Sequence, residues 1–253
     1  MYDVIIIGAG MAGMTAAIYA KRAGTTVLIL ESKTYGGQIM TALRVDNWPG
    51  MPGKSGTDLM DTIYRQMKDF GVETKYETVS KVLDDGGGFT VKTEDNSYSC
   101  GALIIATGTE PRRLSKKQAK DAGKRAISYC ATCDGALYEG KPVVVVGSGN
   151  TAKHEIKYLE GIASKVYHIH HDDPIPEDAV AVFVAIGRVP STQMFDGFVE
   201  MDDEGYIVAG EDCKTSRTGV FAAGDCRTKQ VRQLVTAAGD GAVAAGAAVR
   251  YLG

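Results

Sequence analysis

No apolar run in this 253-residue sequence reaches the roughly 18 residues that a membrane span needs, although 44% of the chain is hydrophobic. The start, MYDVIIIGAG, passes straight into a strand pattern with no basic head or cleavage site. Nothing there marks the chain for export, and a cytoplasmic location is expected. Cysteine is scarce. Five residues in an unexported chain argue against a structural disulfide framework. Histidine is scarcer still, with four residues that all lie between 154 and 171. A low-complexity linker is also missing. The formal charge is only −3, so there is no basic excess of the kind nucleic-acid binding uses. A soluble globular chain remains, long enough for one large or two small domains, with no membrane and no nucleic-acid partner expected.

Strand and helix patterns alternate along it. DVIIIG (3–8) is an unbroken apolar run of the buried-strand type, MAGMTAAIYAKRAG (11–24) reads as a helix ending at glycine, and TVLILE (26–31) is the next strand. A helix is expected near 56–70, two or three strands between 76 and 93, and another strand at ALIIATG (102–108). A second strand–glycine–helix unit begins at PVVVVGSGNTAKHEIKYLE (142–160), followed by strand-like KVYHIH (165–170), AVFVAIG (181–187) and GVFAAGD (219–225). A helix of small residues closes the chain. Two such units imply an internal duplication and two α/β domains.

The first glycine motif, Gly8-Ala-Gly10-Met11-Ala12-Gly13, follows a strand and opens a helix. In that setting Gly8 makes the tight turn, Gly10 admits a pyrophosphate to the backbone, and Gly13 lets helix and strand pack closely. The helix start offers N–H groups to the anion. Glu31 ends the second strand, placed to accept from a ribose hydroxyl and to disfavour a 2′-phosphate.

Cys130 and Cys133 are spaced CxxC, a dithiol that can close to a disulfide and reopen. Only a thiolate attacks, and Asp134 beside the pair could exchange protons with it. Half of a zinc site is the other reading of CxxC, but Cys213 and Cys226 do not supply a second CxxC, and no metal is expected. On a strand, His168 and His170 share a face while His171 points away; with His154 they are read as ordinary polar positions. Cys100, Cys213 and Cys226 are read as small structural residues.

In order along the chain, GAGMAG, Glu31, GGQ (36–38), DNWPG (46–50), ATG (106–108), YCATCDG (129–135), FAAGDC (221–226) and RQLVTAAGDG (232–241) resemble the landmarks of the low-molecular-weight, FAD-containing thioredoxin reductases. The resemblance covers 1–135 and 181–253. It implies an α/β fold: a Rossmann-like FAD-binding domain of the two-dinucleotide-binding-domain flavoprotein type, discontinuous over 1–111 and 188–253. A smaller, truncated α/β domain carrying CxxC is inserted at 112–187. It also implies FAD contacts from Gly8, Gly10, Met11, Ala12, Gly13, Glu31, Gly36, Gly37, Gln38, Thr41, Asn47, Ala106, Thr107, Gly108, Gly224, Asp225, Arg232, Gln233 and Leu234. By the same resemblance Cys133 lies nearer the flavin, Cys130 attacks a thioredoxin-like disulfide, Asp134 is the acid, and the protein is a homodimer. KSGTD (54–58) and the crossings near 109–115 and 186–190 are candidate hinges.

What the family has and this sequence lacks is the second half of the inserted domain. NADPH-using relatives follow their second glycine turn and strand with HRRxxxR, whose arginines hold the 2′-phosphate. Here HIHHDDPIPE puts His171 and Asp172 at the arginine positions, and VFVAIG arrives almost at once. Losing two charge-assisted hydrogen bonds of roughly 1.5–3 kcal/mol each weakens binding about a hundredfold to ten-thousandfold. A different donor is then expected. The segment 111–129 holds Arg112, Arg113, Lys116, Lys117, Lys120, Lys124 and Arg125 against the single acid Asp121, net +6 in a chain whose remainder is −9. Such a face steers acidic partners, of which ferredoxin and flavodoxin are the electron carriers of fitting chemistry. The chain thus resembles the ferredoxin-dependent branch of the family. Two other readings stay open: an NADPH-dependent reductase with a shortened site, and a flavin-binding redox sensor without turnover.

Overall fold

The computed structural model describes residues 1–42, 44–170 and 172–253; His171 lies outside them. In chain order the first elements are β1 (Tyr2–Ile7), α1 (Met11–Arg22), β2 (Val27–Leu30), α2 (Gly56–Asp69), β3 (Glu73–Lys75), β4 (Val79–Asp84), β5 (Phe89–Thr93) and β6 (Ser97–Ile105). Next come β7 (Thr109–Pro111), α3 (Lys116–Ala122), β8 (Ala126–Ser128), α4 (Ala131–Asp134), β9 (Pro142–Val146), α5 (Asn150–Leu159), β10 (Lys165–Ile169) and β11 (Ala181–Val184). The last are β12 (Arg188–Pro190), β13 (Val220–Ala222) and α6 (Leu234–Leu252). Among the described residues no helix is long and apolar enough to cross a membrane.

Two compact units emerge: Met1–Thr109 with Pro190–Gly253, and Glu110–Val189. The boundaries fall two residues from those read in the sequence. The two crossings, β7 and β12, pair as a two-stranded sheet. KSGTD is a helix start: Ser55 Oγ accepts from Asp58 N at 3.0 Å and caps α2.

In the larger unit the strands run β3-β2-β1-β6, with β13 also on β6 and all of these pairings parallel; β5 and β4 continue antiparallel from the start of β6. The central strands are buried on both faces, as an unbroken apolar run requires. Val4 and Ile6 enter one core with α1 and α6, while Ile5 and Ile7 enter the other with Phe195, Val199 and Ile207. Small residues on α1 and α6 let these helices nearly touch, for a Cβ on Gly241 would overlap the Ala12 carbonyl. One buried ion cluster ties the start of α6 to the segment before it. Asp240 accepts from Arg227 at 2.7 and 2.9 Å, Lys229 at 2.8 Å and Gly224 N at 2.9 Å.

The smaller unit has four parallel strands in the order β10-β9-β11-β8. One face of this sheet packs on Ala131 of α4 and on Ala152 and Leu159 of α5. The other is covered by Leu114, Ala122 of α3, Ile175 and Ala179. No regular element separates β10 from β11 among the described residues; the chain passes through 172–180 as an irregular segment. Arg125 satisfies that segment's backbone. Its guanidinium donates to the carbonyls of Ala179 (2.8 Å), Glu177 (3.0 Å) and Pro176 (3.4 Å), and on its other side to Asp121 (2.9 Å) and Ala122 (3.3 Å). Buried Gln118 donates to the carbonyls of His170 (3.0 Å) and Asp173 (3.3 Å). The basic segment read as a steering face is therefore partly internal scaffold. Arg112, Arg113, Lys116, Lys117, Lys120 and Lys124 are exposed, while Arg125 is half-buried and engaged.

The Asp240 cluster yields a stability prediction. Burial pushes the Asp240 carboxyl up, but its bonds to Arg227 and Lys229 outweigh that and hold it below the usual range. A depressed carboxyl stabilises the fold above its unfolded value near 3.9 and loses that contribution as pH falls through its folded value. Asp240→Asn leaves two cations without a counter-ion, an expected loss of about 3–5 kcal/mol. Thermal unfolding at pH 7 should drop by roughly 10 °C, and the gap between variant and parent should close as pH falls below about 4.

Candidate redox site and nucleotide-type turns

The first glycine turn leaves β1 at Gly8 (φ +107°), where a Cβ would overlap the Ala106 carbonyl. Gly13 is equally forced, since its Cβ would overlap the Gly8 carbonyl. Gly10 is different. Its φ is an ordinary −78°, and nothing lies within 4 Å of where its Cβ would stand. The protein's own atoms give no reason for glycine there, whereas a pyrophosphate against the backbone does. Helix α1 begins without a side-chain cap and with no acid in its first turn, leaving its N–H groups suited to an anion. Glu31 stands beside this turn, its carboxylate accepting from Ala9 N at 2.8 Å and Lys33 N at 2.9 Å.

The other residues implied by the resemblance gather on the same unit. Gly36 N donates to the Ala9 carbonyl at 2.8 Å, and a Cβ on Gly37 would stand 3.5 Å from Gly10 Cα. Gln38 bonds Thr109, and Thr41 Oγ1 bonds the Gln38 carbonyl at 3.1 Å. Ala106, Thr107 and Gly108 follow β6 directly. At Gly224 a Cβ would stand 2.8 Å from that of Ala12. Arg232 donates to the Asp225 carbonyl at 3.4 Å and lies over the Tyr206 ring, and Asn47 bonds Gln233 Oε1 at 3.1 Å. Gln233 completes a capping box with Thr236 at the start of α6, whose first residue is Leu234. An elongated dinucleotide such as FAD fits this arrangement: an open glycine at a helix start, an acid at the end of β2, and polar groups beyond β13.

The second glycine turn repeats the first. A Cβ on Gly147 would overlap the Ala185 carbonyl, while Gly149, with φ −82°, has nothing within 4 Å. A cavity of about 630 Å³ opens here, lined by Gly147, Ser148, Gly149 and Thr151 together with Arg112 and Arg113. Beyond it the sequence continues from β10 as His170, His171, Asp172 and Asp173. His168 Nε2 lies 2.6 Å from the Gly147 carbonyl, Asp173 accepts from His170 N at 2.8 Å, and the rings of His168 and His170 are 5.3 Å apart. Among the described residues no three histidine, cysteine or acidic side chains converge as a metal site.

Cys130 and Cys133 form a disulfide around the one-turn helix α4. Both are half-buried. Asp134 Oδ2 accepts from Ser128 Oγ at 2.7 Å, and Ser128 Oγ accepts from Cys130 N at 3.1 Å, so one hydroxyl fixes acid and cysteine together. Sequence reasoning missed Ser128, although a serine two residues before the cysteine is a local turn signal. It also missed Glu155 on α5, whose Oε1 accepts from Ala131 N at 3.5 Å. Cys100, Cys213 and Cys226 are buried, and burial pushes their thiols up to about 12, 11 and 11, which keeps them protonated and unreactive.

Gly10 gives a direct test of the first turn. Gly10→Ala should leave the unfolding temperature of flavin-free protein within about 2 °C of the parent, because the added methyl meets no protein atom. The same change should weaken FAD binding at least roughly tenfold by fluorescence titration, a difference of about 1.4 kcal/mol. Gly13→Ala should instead lower thermal stability outright.

Comparison with known proteins agrees with this geometry. The family model described as pyridine nucleotide-disulphide oxidoreductase matches in two overlapping pieces, residues 2–178 and 172–241. A thioredoxin reductase of Listeria monocytogenes is 36% identical over 300 aligned positions, covering 100% of this chain and 94% of that protein. That span exceeds the 253 residues of this chain by 47, and the family match breaks at 172–178, where β10 runs on toward β11. A thioredoxin reductase structure from Streptococcus pyogenes is 34% identical with a TM-score of 0.91, covering 100% of this chain and 98% of that one. A ferredoxin-flavin thioredoxin reductase from Clostridium acetobutylicum is 30% identical with a TM-score of 0.65, covering 99% and 97%. With fold, both glycine turns and the CxxC disulfide in agreement, the chain belongs to the pyridine nucleotide-disulphide oxidoreductases, in the low-molecular-weight thioredoxin reductase family of FAD flavoproteins, and is a flavoprotein disulfide oxidoreductase.

Proposed function

We propose that this protein reduces thioredoxin or a similar protein disulfide through Cys130 and Cys133, drawing electrons from an acidic protein donor such as reduced ferredoxin or flavodoxin. The observation that carries the donor reading is the passage from β10 to β11. It bypasses the elements that complete a nicotinamide site in relatives, and the sequence offers His171 and Asp172 where a 2′-phosphate needs arginines. Exposed Arg112, Arg113, Lys116, Lys117, Lys120 and Lys124 are a complementary surface for an acidic partner. Driving force supports it: the step from a plant-type iron–sulfur cluster to thioredoxin spans about 130 mV, roughly 6 kcal/mol for two electrons.

FAD, bound on the larger unit, supplies a carrier that accepts electrons singly and delivers them in pairs. The chain's own residues do the rest. Ser128 holds Asp134 beside Cys130, so the acid is placed to protonate the sulfur released when the disulfide opens. Both cysteines are half-buried, and by the resemblance Cys130 is the one that attacks a partner's disulfide. The proposal places this action in the cytoplasm, as expected for a chain with no export signal, and in a homodimer, as the resemblance implies.

A second reading has an observation of its own. The cavity at Gly147–Thr151, with an open Gly149 and two guanidiniums at its edge, retains what a nucleotide pyrophosphate needs. Anaerobic flavin absorbance decides between the two. Reduced ferredoxin should bleach the flavin within seconds and NADPH or NADH should not. Charge reversal at Lys116, Lys120 and Lys124 should slow ferredoxin-driven bleaching at least about tenfold at low salt. Bleaching by NADPH at that rate, abolished by Arg112→Glu with Arg113→Glu, establishes the second reading instead.

A further inference from the structure

Glu155 has no place in the chemistry described so far, yet it lies directly behind the redox pair. Helix α5 buries Ala152 and Leu159 and brings Ile156 against the same core. Glu155 sits on that apolar face, one helical turn from both Ala152 and Leu159. Its Oε1 meets the backbone N–H of Ala131, the residue that follows Cys130. Its Oε2 is sealed from solvent and has no hydrogen-bond partner among the described residues. The two helices approach closely: a Cβ on Gly135 would stand 3.1 Å from atoms of Tyr158 and Leu159.

A carboxylate so placed is costly to ionise. Burial pushes Glu155 up to about 7, against the lowering effects of the Ala131 N–H and of Arg188. Other charged or titratable groups on the elements around α5 have partners of their own. Asp134 is held by Ser128, Lys165 bonds Tyr167, Tyr167 bonds Asp178, and His168 meets the Gly147 carbonyl. β9 brings only proline and valine, and Tyr138 follows α4 with its hydroxyl pushed up by burial and by Asp134.

We propose that Glu155 is a positioning residue that couples a proton to the Cys130–Cys133 couple: its carboxylate takes up a proton when the disulfide opens. The inference rests on the reading of Cys130 and Cys133 as the working dithiol. Two electrons enter the S–S bond and break it. One sulfur leaves as a thiol, with a proton from solvent or Asp134, and the other as a thiolate. The new negative charge disfavours a second one behind Ala131, so Glu155 accepts one further proton from solvent. The two sites then titrate as a pair, and an ionised Glu155 makes the thiolate harder to form.

The test equilibrates full-length, FAD-loaded protein with dithiothreitol buffers between pH 6 and pH 9, followed by acid quench and alkylation of free thiols. Glu155→Gln keeps an acceptor for Ala131 N but cannot ionise. The ratio of reduction equilibrium constants, parent over E155Q, should fall about tenfold from pH 6 to pH 9, equivalent to one pKa unit of coupling. The pH at which iodoacetamide reacts half-maximally with the reduced pair should be lower in E155Q. A ratio that stays flat across this range overturns the proposal, even if Glu155→Ala loosens α4. If FAD-loaded Cys133→Ser retains full disulfide reductase turnover, the dithiol reading itself is wrong, and that failure is separate from a flat ratio.

Discussion

One guanidinium makes the short unit possible. A parallel sheet needs covered faces, and a chain that passes from β10 to β11 without the usual intervening elements must satisfy the backbone of an irregular segment. Arg125 does this by bonding the carbonyls of Pro176, Glu177 and Ala179 on one side and those of Asp121 and Ala122 on the other. Ile175 and Ala179, held by that clamp, cover the face opposite α5. The four strands thus keep a core on each side, and β8 delivers Ser128, Cys130 and α4 from a fixed base.

Much of this fold was legible because the signals were local. The apolar runs at 3–8, 26–31, 102–108 and 142–146 announced buried strands, and the glycine turns after the first and last of these announced the helices that follow. Alternation put Val4 and Ile6 on one side and Ile5 and Ile7 on the other. What the sequence did not reveal came from long-range pairing. Arg125 reads as one more base in a basic run, and nothing local says that its partners lie some fifty residues on. Ser128 and Glu155 matter only through what folding sets beside them, a neighbouring carboxylate in one case and the N–H of Ala131 in the other. The chain from 191 to 218 carried too little periodicity to assign, and it forms short bridges and turns that cover the second face of the large sheet.

The two glycine turns separate what packing demands from what a ligand demands. Gly8 and Gly147 are required by neighbouring carbonyls, so their presence says only that a strand and a helix meet closely. Gly10 and Gly149 meet no protein atom and adopt ordinary backbone angles. In the larger unit this freedom agrees with Glu31 at the end of β2. In the smaller unit the residue that follows β10 is His170, whose N–H donates to Asp173. The open glycine of a phosphate-facing turn thus recurs in the smaller unit, with Arg112 and Arg113 lining the same cavity.

Retention of α5 has an explanation independent of any nucleotide. The helix forms the wall behind the CxxC turn: Ala152 and Leu159 pack on the face that holds Ala131, and Gly135 admits Tyr158 and Leu159 to contact. Removing the turn would remove that wall. A chain that gave up nicotinamide binding would still keep Gly147, whose Cβ would strike Ala185, and Ala152, which is fully buried. It would have no packing reason to keep Gly149. That one residue separates a turn kept as scaffold from a turn kept as an anion site, because scaffold duty tolerates a side chain there and phosphate contact does not.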